Sequence, residues 1–185
     1  DMHQHFDMVK YARTGGEANA IAVRIARAAS GKDKIAFCGY HGWHDWYLSA
    51  NLNNNDSGGI LKDHLLSGLS TNGVPKNLKN TVYPFKFNDF VALEKICSLN
   101  KIGIIKMEIF RNAPPKNNFL KKVRNLATKK NIILIFDECS SGFRESFGGL
   151  HLKYKVYPDM CILGKALGNG FPITAVLGKR NIMES

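Results

Sequence analysis

Apolar positions along this chain follow two rhythms, one of helical spacing and one of short unbroken runs. Residues 15–30 are alanine-rich, open on Gly15-Gly16-Glu17 and close at Ser30-Gly31, which predicts a helix ended by a glycine. Helical spacing returns over residues 43–48, 89–99 and 119–130, the last with Leu120, Val123, Leu126 and Ala127 on one face. Runs of Ile, Leu, Val and Phe predict strands at residues 34–38, 81–85, 102–108 and 132–136, and one from Met160 that Lys165 closes. Residues 50–80 read as a long surface excursion with a leucine-rich stretch at 60–69, and Pro114-Pro115 breaks the chain before the last predicted helix.

Strands that alternate with helices and are apolar along their whole length predict an α/β fold, a mostly parallel sheet covered by helices on both faces. Ligands of such sheets collect beyond the carboxyl ends of the strands, which is where Glu108, Asp137 and Lys165 fall. No internal repeat or linker divides the sequence. Residues 1–185 read as one unit, and both ends enter patterned sequence abruptly, as a piece of a longer protein would.

Composition narrows the picture. With 44% hydrophobic residues in 185, one sizeable core can form. No apolar run approaches the roughly 18–20 residues of a membrane span, and the N-terminus lacks a signal-peptide pattern. The four cysteines, Cys38, Cys97, Cys139 and Cys161, form no CxxC pair; reduced thiols and a cytoplasmic setting are expected. A net charge of +11 raises nucleic acid as a partner, but the lysines are single or paired, without a block or interleaved aromatics. The expectation is a solvated basic surface with no nucleic-acid and no membrane partner.

Lys165 ends the apolar run Met160-Cys161-Ile162-Leu163-Gly164, where a buried ammonium needs a lowered pKa, a carboxylate partner or a covalent role. Asp137 ends the preceding apolar run. Lysine as nucleophile and aspartate as partner of a pyridinium nitrogen is the pair that pyridoxal phosphate (PLP) chemistry requires. His41-Trp43-His44-Asp45 carries too few ligands for a metal site, and none is expected.

Four segments together resemble the class III, fold type I PLP-dependent aminotransferases, the family that includes glutamate-1-semialdehyde aminomutase. They are Thr14-Gly15-Gly16-Glu17-Ala18-Asn19, Cys38-Gly39-Tyr40-His41-Gly42, Ile135 to Arg144 and Leu163 to Pro172. The resemblance implies a fragment of the large, cofactor-binding domain, without the N-terminal segment and the C-terminal small domain. It implies Lys165 as the Schiff-base lysine and proton carrier, and Asp137 on the pyridinium nitrogen. Gly15 and Gly16 would bind the phosphate and Tyr40 would stack over the ring with His41 beside it. Cys139, where the family commonly has valine, would pack on the ring face, and Ser140 would lie near the ring hydroxyl.

Glu108 and Asn112 match the family's Glu-Pro segment, with Ile109 in place of the proline, and are substrate candidates. Glu108 is equally readable as half of a strand-end salt bridge, and Arg144 as structural. Gly16 replaces a usual serine or threonine, so one phosphate hydroxyl is missing; Thr14 or a partner subunit could supply it. The implied activity moves an amino group between an amine donor and a carbonyl acceptor in a homodimer, in glutamate-1-semialdehyde or surface-polysaccharide metabolism. Decarboxylation or racemisation on the same cofactor, and a non-catalytic basic binding module, are the alternatives.

Overall fold

The computed structural model describes residues 2–53, 69–110 and 112–185. Seven strands form one sheet: β1 (Met8–Ala12), β2 (Lys34–Cys38), β3 (Val82–Pro84), β4 (Ile102–Glu108), β5 (Ile133–Glu138), β6 (Met160–Leu163) and β7 (Thr174–Gly178). Their spatial order is β1-β7-β6-β5-β4-β2-β3. The run from β6 to β3 is parallel, and β7 is antiparallel to both of its neighbours. The mostly parallel sheet expected from the sequence is therefore present, with an edge pair, β1 and β7, that the apolar pattern did not announce.

Helices α1 (Gly15–Ser30), α2 (Asp45–Leu48), α3 (Phe90–Leu99), α4 (Phe119–Lys129), α5 (Leu150–Tyr154) and α6 (Arg180–Met183) divide between two faces. Alternate residues of each strand point to opposite sides, so each face has its own core. On one, Ala18, Ala22 and Ala26 of α1 and Ile182 of α6 pack with Ile35, Phe37, Ile104, Ile135, Ile162 and Val176. On the other, Leu93 of α3 and Leu120, Val123 and Ala127 of α4 pack with Ala36, Ile105, Met107, Leu134 and Phe136. Helix α1 is held at its start by a capping box, Thr14 with Glu17, and at its end by Gly31 in a left-handed conformation.

The predicted helix at 43–48 is shorter and begins at Asp45, and the strand predicted from residue 132 begins at Ile133. Residues 54–68, most of the leucine-rich stretch, lie outside the described residues. No described helix is long and apolar enough to cross a membrane.

Candidate functional site

The carboxyl ends of β4, β5 and β6 gather most of the groups the sequence singled out. β5 carries Ile135 and Asp137 on the α1 side, and parallel pairing sets Glu108 of β4 level with Asp137. Asp137 is nearly buried, at 4% exposure. Its Oδ1 accepts from the Cys139 amide at 3.0 Å, and its Oδ2 lies 2.8 Å from His41 Nδ1 and 3.7 Å from Lys106 Nζ. Burial alone would raise this carboxyl. Lys106, His41 and the Cys139 amide reverse that and hold it well below the usual carboxylate range.

His41 sits in the turn after β2 and is buried between two oxygens, Asp137 Oδ2 and the Cys38 carbonyl at 3.1 Å from Nε2. Burial, then the Lys106 charge, pushes its pKa down to about 4 against the pull of Asp137. Near pH 7 a ring with that pKa is neutral and carries one N–H, so it donates to only one of these two oxygens. Its contact with Oδ2 helps to fix Asp137.

Lys165 corrects an expectation. β6 ends at Leu163, and Lys165 stands beyond it in a short 3-10 turn, exposed and with φ 47°, a left-handed backbone that is costly for a lysine. Its Nζ donates to Ser140 Oγ at 2.6 Å, so the amine is parked on the loop that leaves β5. The buried lysine of this molecule is Lys106.

Cys139 joins the parts. A Cβ built on Gly15 would lie 3.4 Å from its Sγ and one on Gly164, the residue before Lys165, 3.1 Å. The half-buried thiol thus touches the start of α1 and the approach to the lysine, while its amide binds Asp137. Burial raises its pKa, so it stays a neutral packing group.

At the start of α1 the Glu17 amide binds Thr14 Oγ1 and the Ala18 amide binds the Thr14 carbonyl, leaving the Gly15 and Gly16 amides at the open, positive end of a 16-residue helix. The Thr14 hydroxyl oxygen is the helix cap, so it does not simply replace the missing hydroxyl. What occupies the space of a residue-16 side chain is His44: a Cβ on Gly16 would stand 2.9 Å from its ring. Gly42, at φ 94°, brings its own backbone so close that a Cβ there would be 2.9 Å from the Gly16 Cα.

Tyr40 is half-buried and edge-on to Tyr47, with its amide donating to Glu108 Oε2 at 3.3 Å. Glu108 thereby braces the turn that carries Tyr40 and His41. Glu108, Asn112, Ser140 and the exposed Arg144 line a cleft of about 370 Å³ together with Phe110 and Glu145. A larger cavity, about 520 Å³, lies around Arg124, Asp159 and Lys179 at the amino ends of the strands, away from these groups. Glu138 is fully buried and accepts from Ser141 Oγ and from the Leu150 and His151 amides, with His151 Nδ1 also against it. It ties the loop after β5 to α5.

Asp137, His41, Cys139, Ser140 and Lys165 thus form one connected set, with Gly15 and Gly16 against its thiol and Glu108 and Asn112 on the adjoining cleft. Two neighbours went unread in the sequence. His44 was considered only as a metal ligand. Lys106 carried a visible signal, a single lysine inside Ile102-Gly103-Ile104-Ile105-Lys106-Met107, but only the strand register shows that it shares a face with Asp137.

Residues 112–185 match the family model for class-III aminotransferases. The chain is 37% identical to the 3-aminobutyryl-CoA aminotransferase of Cloacimonas acidaminovorans, over 96% of this chain and 40% of that protein. It is 39% identical to the glutamate-1-semialdehyde 2,1-aminomutase of Ignicoccus hospitalis, over 96% of this chain and 42% of that protein. A solved transaminase with PLP bound superposes with a TM-score of 0.79 at 28% identity, over 96% of this chain and 42% of that one. The chain therefore spans about two fifths of the length of the relatives it matches.

Proposed function

Because the chain belongs to the class-III aminotransferases, we propose that it forms the cofactor-binding core of a PLP-dependent aminotransferase or aminomutase. The observation that carries this reading is the buried, ionised Asp137, held on both oxygens and joined through Cys139 and Ser140 to Lys165.

The residues present fit the cofactor. Asp137 supplies a fixed negative charge for a ring N–H, and the Gly15 and Gly16 amides supply two donors at a positive helix end for a phosphate. Gly42 and Gly16 let the turn after β2 pack directly on the start of α1, and His44 sits where a residue-16 side chain would lie. Once bound, PLP supplies an electron sink for carbanion chemistry at the substrate carbon.

The chain's own residues do the rest. Lys165 Nζ, released from Ser140, is the nucleophile for the cofactor aldehyde and the carrier of a proton to and from the substrate carbon. His41 keeps Asp137 oriented and ionised. Tyr40 would cover a bound ring, Cys139 would pack against it, and Glu108 and Asn112 would meet the amine donor or carbonyl acceptor from the cleft. A homodimer, in which a partner subunit completes the phosphate site, and a cytoplasmic setting, consistent with four unpaired cysteines, belong to the same proposal.

Incubation with PLP, borohydride reduction and peptide mass spectrometry test it. The expected adduct is on Lys165 and is lost in Lys165→Ala. An adduct on Lys106, or one that survives in Lys165→Ala, overturns the assignment. With the adduct in place, a screen of amine donors and acceptors read by the cofactor spectrum separates amino transfer from decarboxylation or racemisation.

A further inference from the structure

Lys106 lies in the middle of β4 with its side chain fully buried. Its register partners are Phe37 on β2 and Ile135 on β5, both members of the α1-side core. An ammonium in this apolar layer is expensive, and among the described residues its Nζ has no hydrogen-bond partner. Asp137 Oδ2, the oxygen that His41 also engages, lies 3.7 Å from it, and Glu108 adds a second negative charge. A lysine that served only to fill space would be better replaced by methionine or leucine. This one is aimed at the carboxylate of the candidate site.

We propose, resting on the PLP reading above, that Lys106 is a positioning residue that sets the charge Asp137 presents to the cofactor, its ammonium competing with the ring nitrogen for the same carboxylate. In the absence of a ring, one ammonium balances one carboxylate, and His41 is left neutral between them. A protonated ring nitrogen brings a second positive charge to Asp137. Lys106 and the ring nitrogen then share what one carboxylate can stabilise, so Lys106 weakens the hold on the ring proton and moderates the electron sink.

The groups facing Lys106 are Asp137 and Cys139 from the end of β5, Glu108 from β4 and His41 from the loop after β2. The Cys139 thiol is raised by burial and stays neutral. Burial lowers the Lys106 pKa on balance, against the pull of Asp137 and Glu108. The α1 residues on this face are the small apolar Ala18, Ala22 and Ala26, with Val23, Ile25 and the uncharged Asn19. Asp137, His41 and Lys106 are thus the coupled set.

The test compares the protein with Lys106→Met, which keeps length and removes charge, by nitrogen NMR in two states. Loaded with PLP labelled at the ring nitrogen, the variant should retain the Lys165 adduct and show the ring-nitrogen protonation midpoint raised by about one pH unit or more. Free of cofactor, its His41 midpoint should rise from about 4 toward the ordinary histidine value. Unchanged midpoints in a folded variant overturn the proposal. Lys106→Leu is the second variant. Absence of any Lys165 adduct in the unsubstituted protein would remove the PLP reading, whereas an adduct with unmoved midpoints removes Lys106 alone.

Discussion

At the scale of single residues, the site separates groups that hold charge from groups that move. Asp137 is fixed by three partners, and Asp137→Asn keeps its shape while deleting the charge that opposes a ring N–H. The expected result is retained cofactor and a turnover loss of about 10²–10³-fold, the size that follows removal of a preorganised electrostatic partner. Unchanged turnover in a cofactor-loaded variant would place the ring's partner elsewhere. Gly16 is the opposite case, where sequence and structure give different advice. The family pattern invites a serine there to restore the missing hydroxyl, but a Cβ would stand 2.9 Å from the His44 ring. Gly16→Ser is therefore expected to weaken PLP binding about tenfold, near 1.4 kcal/mol, measured by equilibrium dialysis. The double variant Gly16→Ser with His44→Ala should recover most of it. Equal or tighter binding in the single variant would show that His44 yields freely.

At the scale of elements, the start of α1 binds stability and site together. Thr14 Oγ1 accepts from the Glu17 amide, and the Glu17 carboxylate accepts from the Thr14 and Arg13 amides. Thr14→Ala removes the cap, with an expected cost of about 1 kcal/mol in urea unfolding. PLP affinity should fall with it, because the Gly15 and Gly16 amides are oriented by the same turn; a stability loss with unchanged affinity would separate the two roles. The central strands and the three longest helices were legible in the sequence because each buries an unbroken or evenly spaced apolar face. β1 was not. Its residues are half-buried or exposed, Tyr11 at 66%, so Met8–Ala12 has no pattern to read, and it exists only because β7 offers an antiparallel edge. The site divides the same way. Asp137 and Lys165 stood at predicted strand ends, within motifs that fix their order. Lys106 was hidden because a lone lysine in a strand reads as a snorkelling surface residue until register assigns its face.

At the scale of the whole molecule, the net charge of +11 and the buried charged set respond to acid by different routes, and salt tells them apart. His41 has a folded pKa of about 4 against an ordinary 6.5, so the unfolded chain binds more protons between those values. By linkage, its contribution to stability is complete above pH 6.5 and is lost as pH falls toward 4. The half-buried His3, lowered by burial and by His151, acts with the same sign. Asp159 would be raised by its burial, but the Leu134 amide, Lys179 and Arg124 hold it below the ordinary carboxylate range. Its contribution is present above the unfolded carboxylate pKa and is lost only at more acid pH. Unfolding free energy measured in urea should therefore fall between pH 6.5 and 4 before the carboxylates titrate. Repulsion among surface cations is also less compensated in acid, as surface carboxylates lose their charge and histidines gain one, but it is screened over about 8–10 Å at 0.1–0.15 M salt, while the buried set is screened much less. The decline between pH 6.5 and 4 should thus persist in 0.5 M NaCl and be shallower in His41→Gln. A decline abolished by salt would assign it to surface charge, and His41 would then be charged or accessible in the folded molecule.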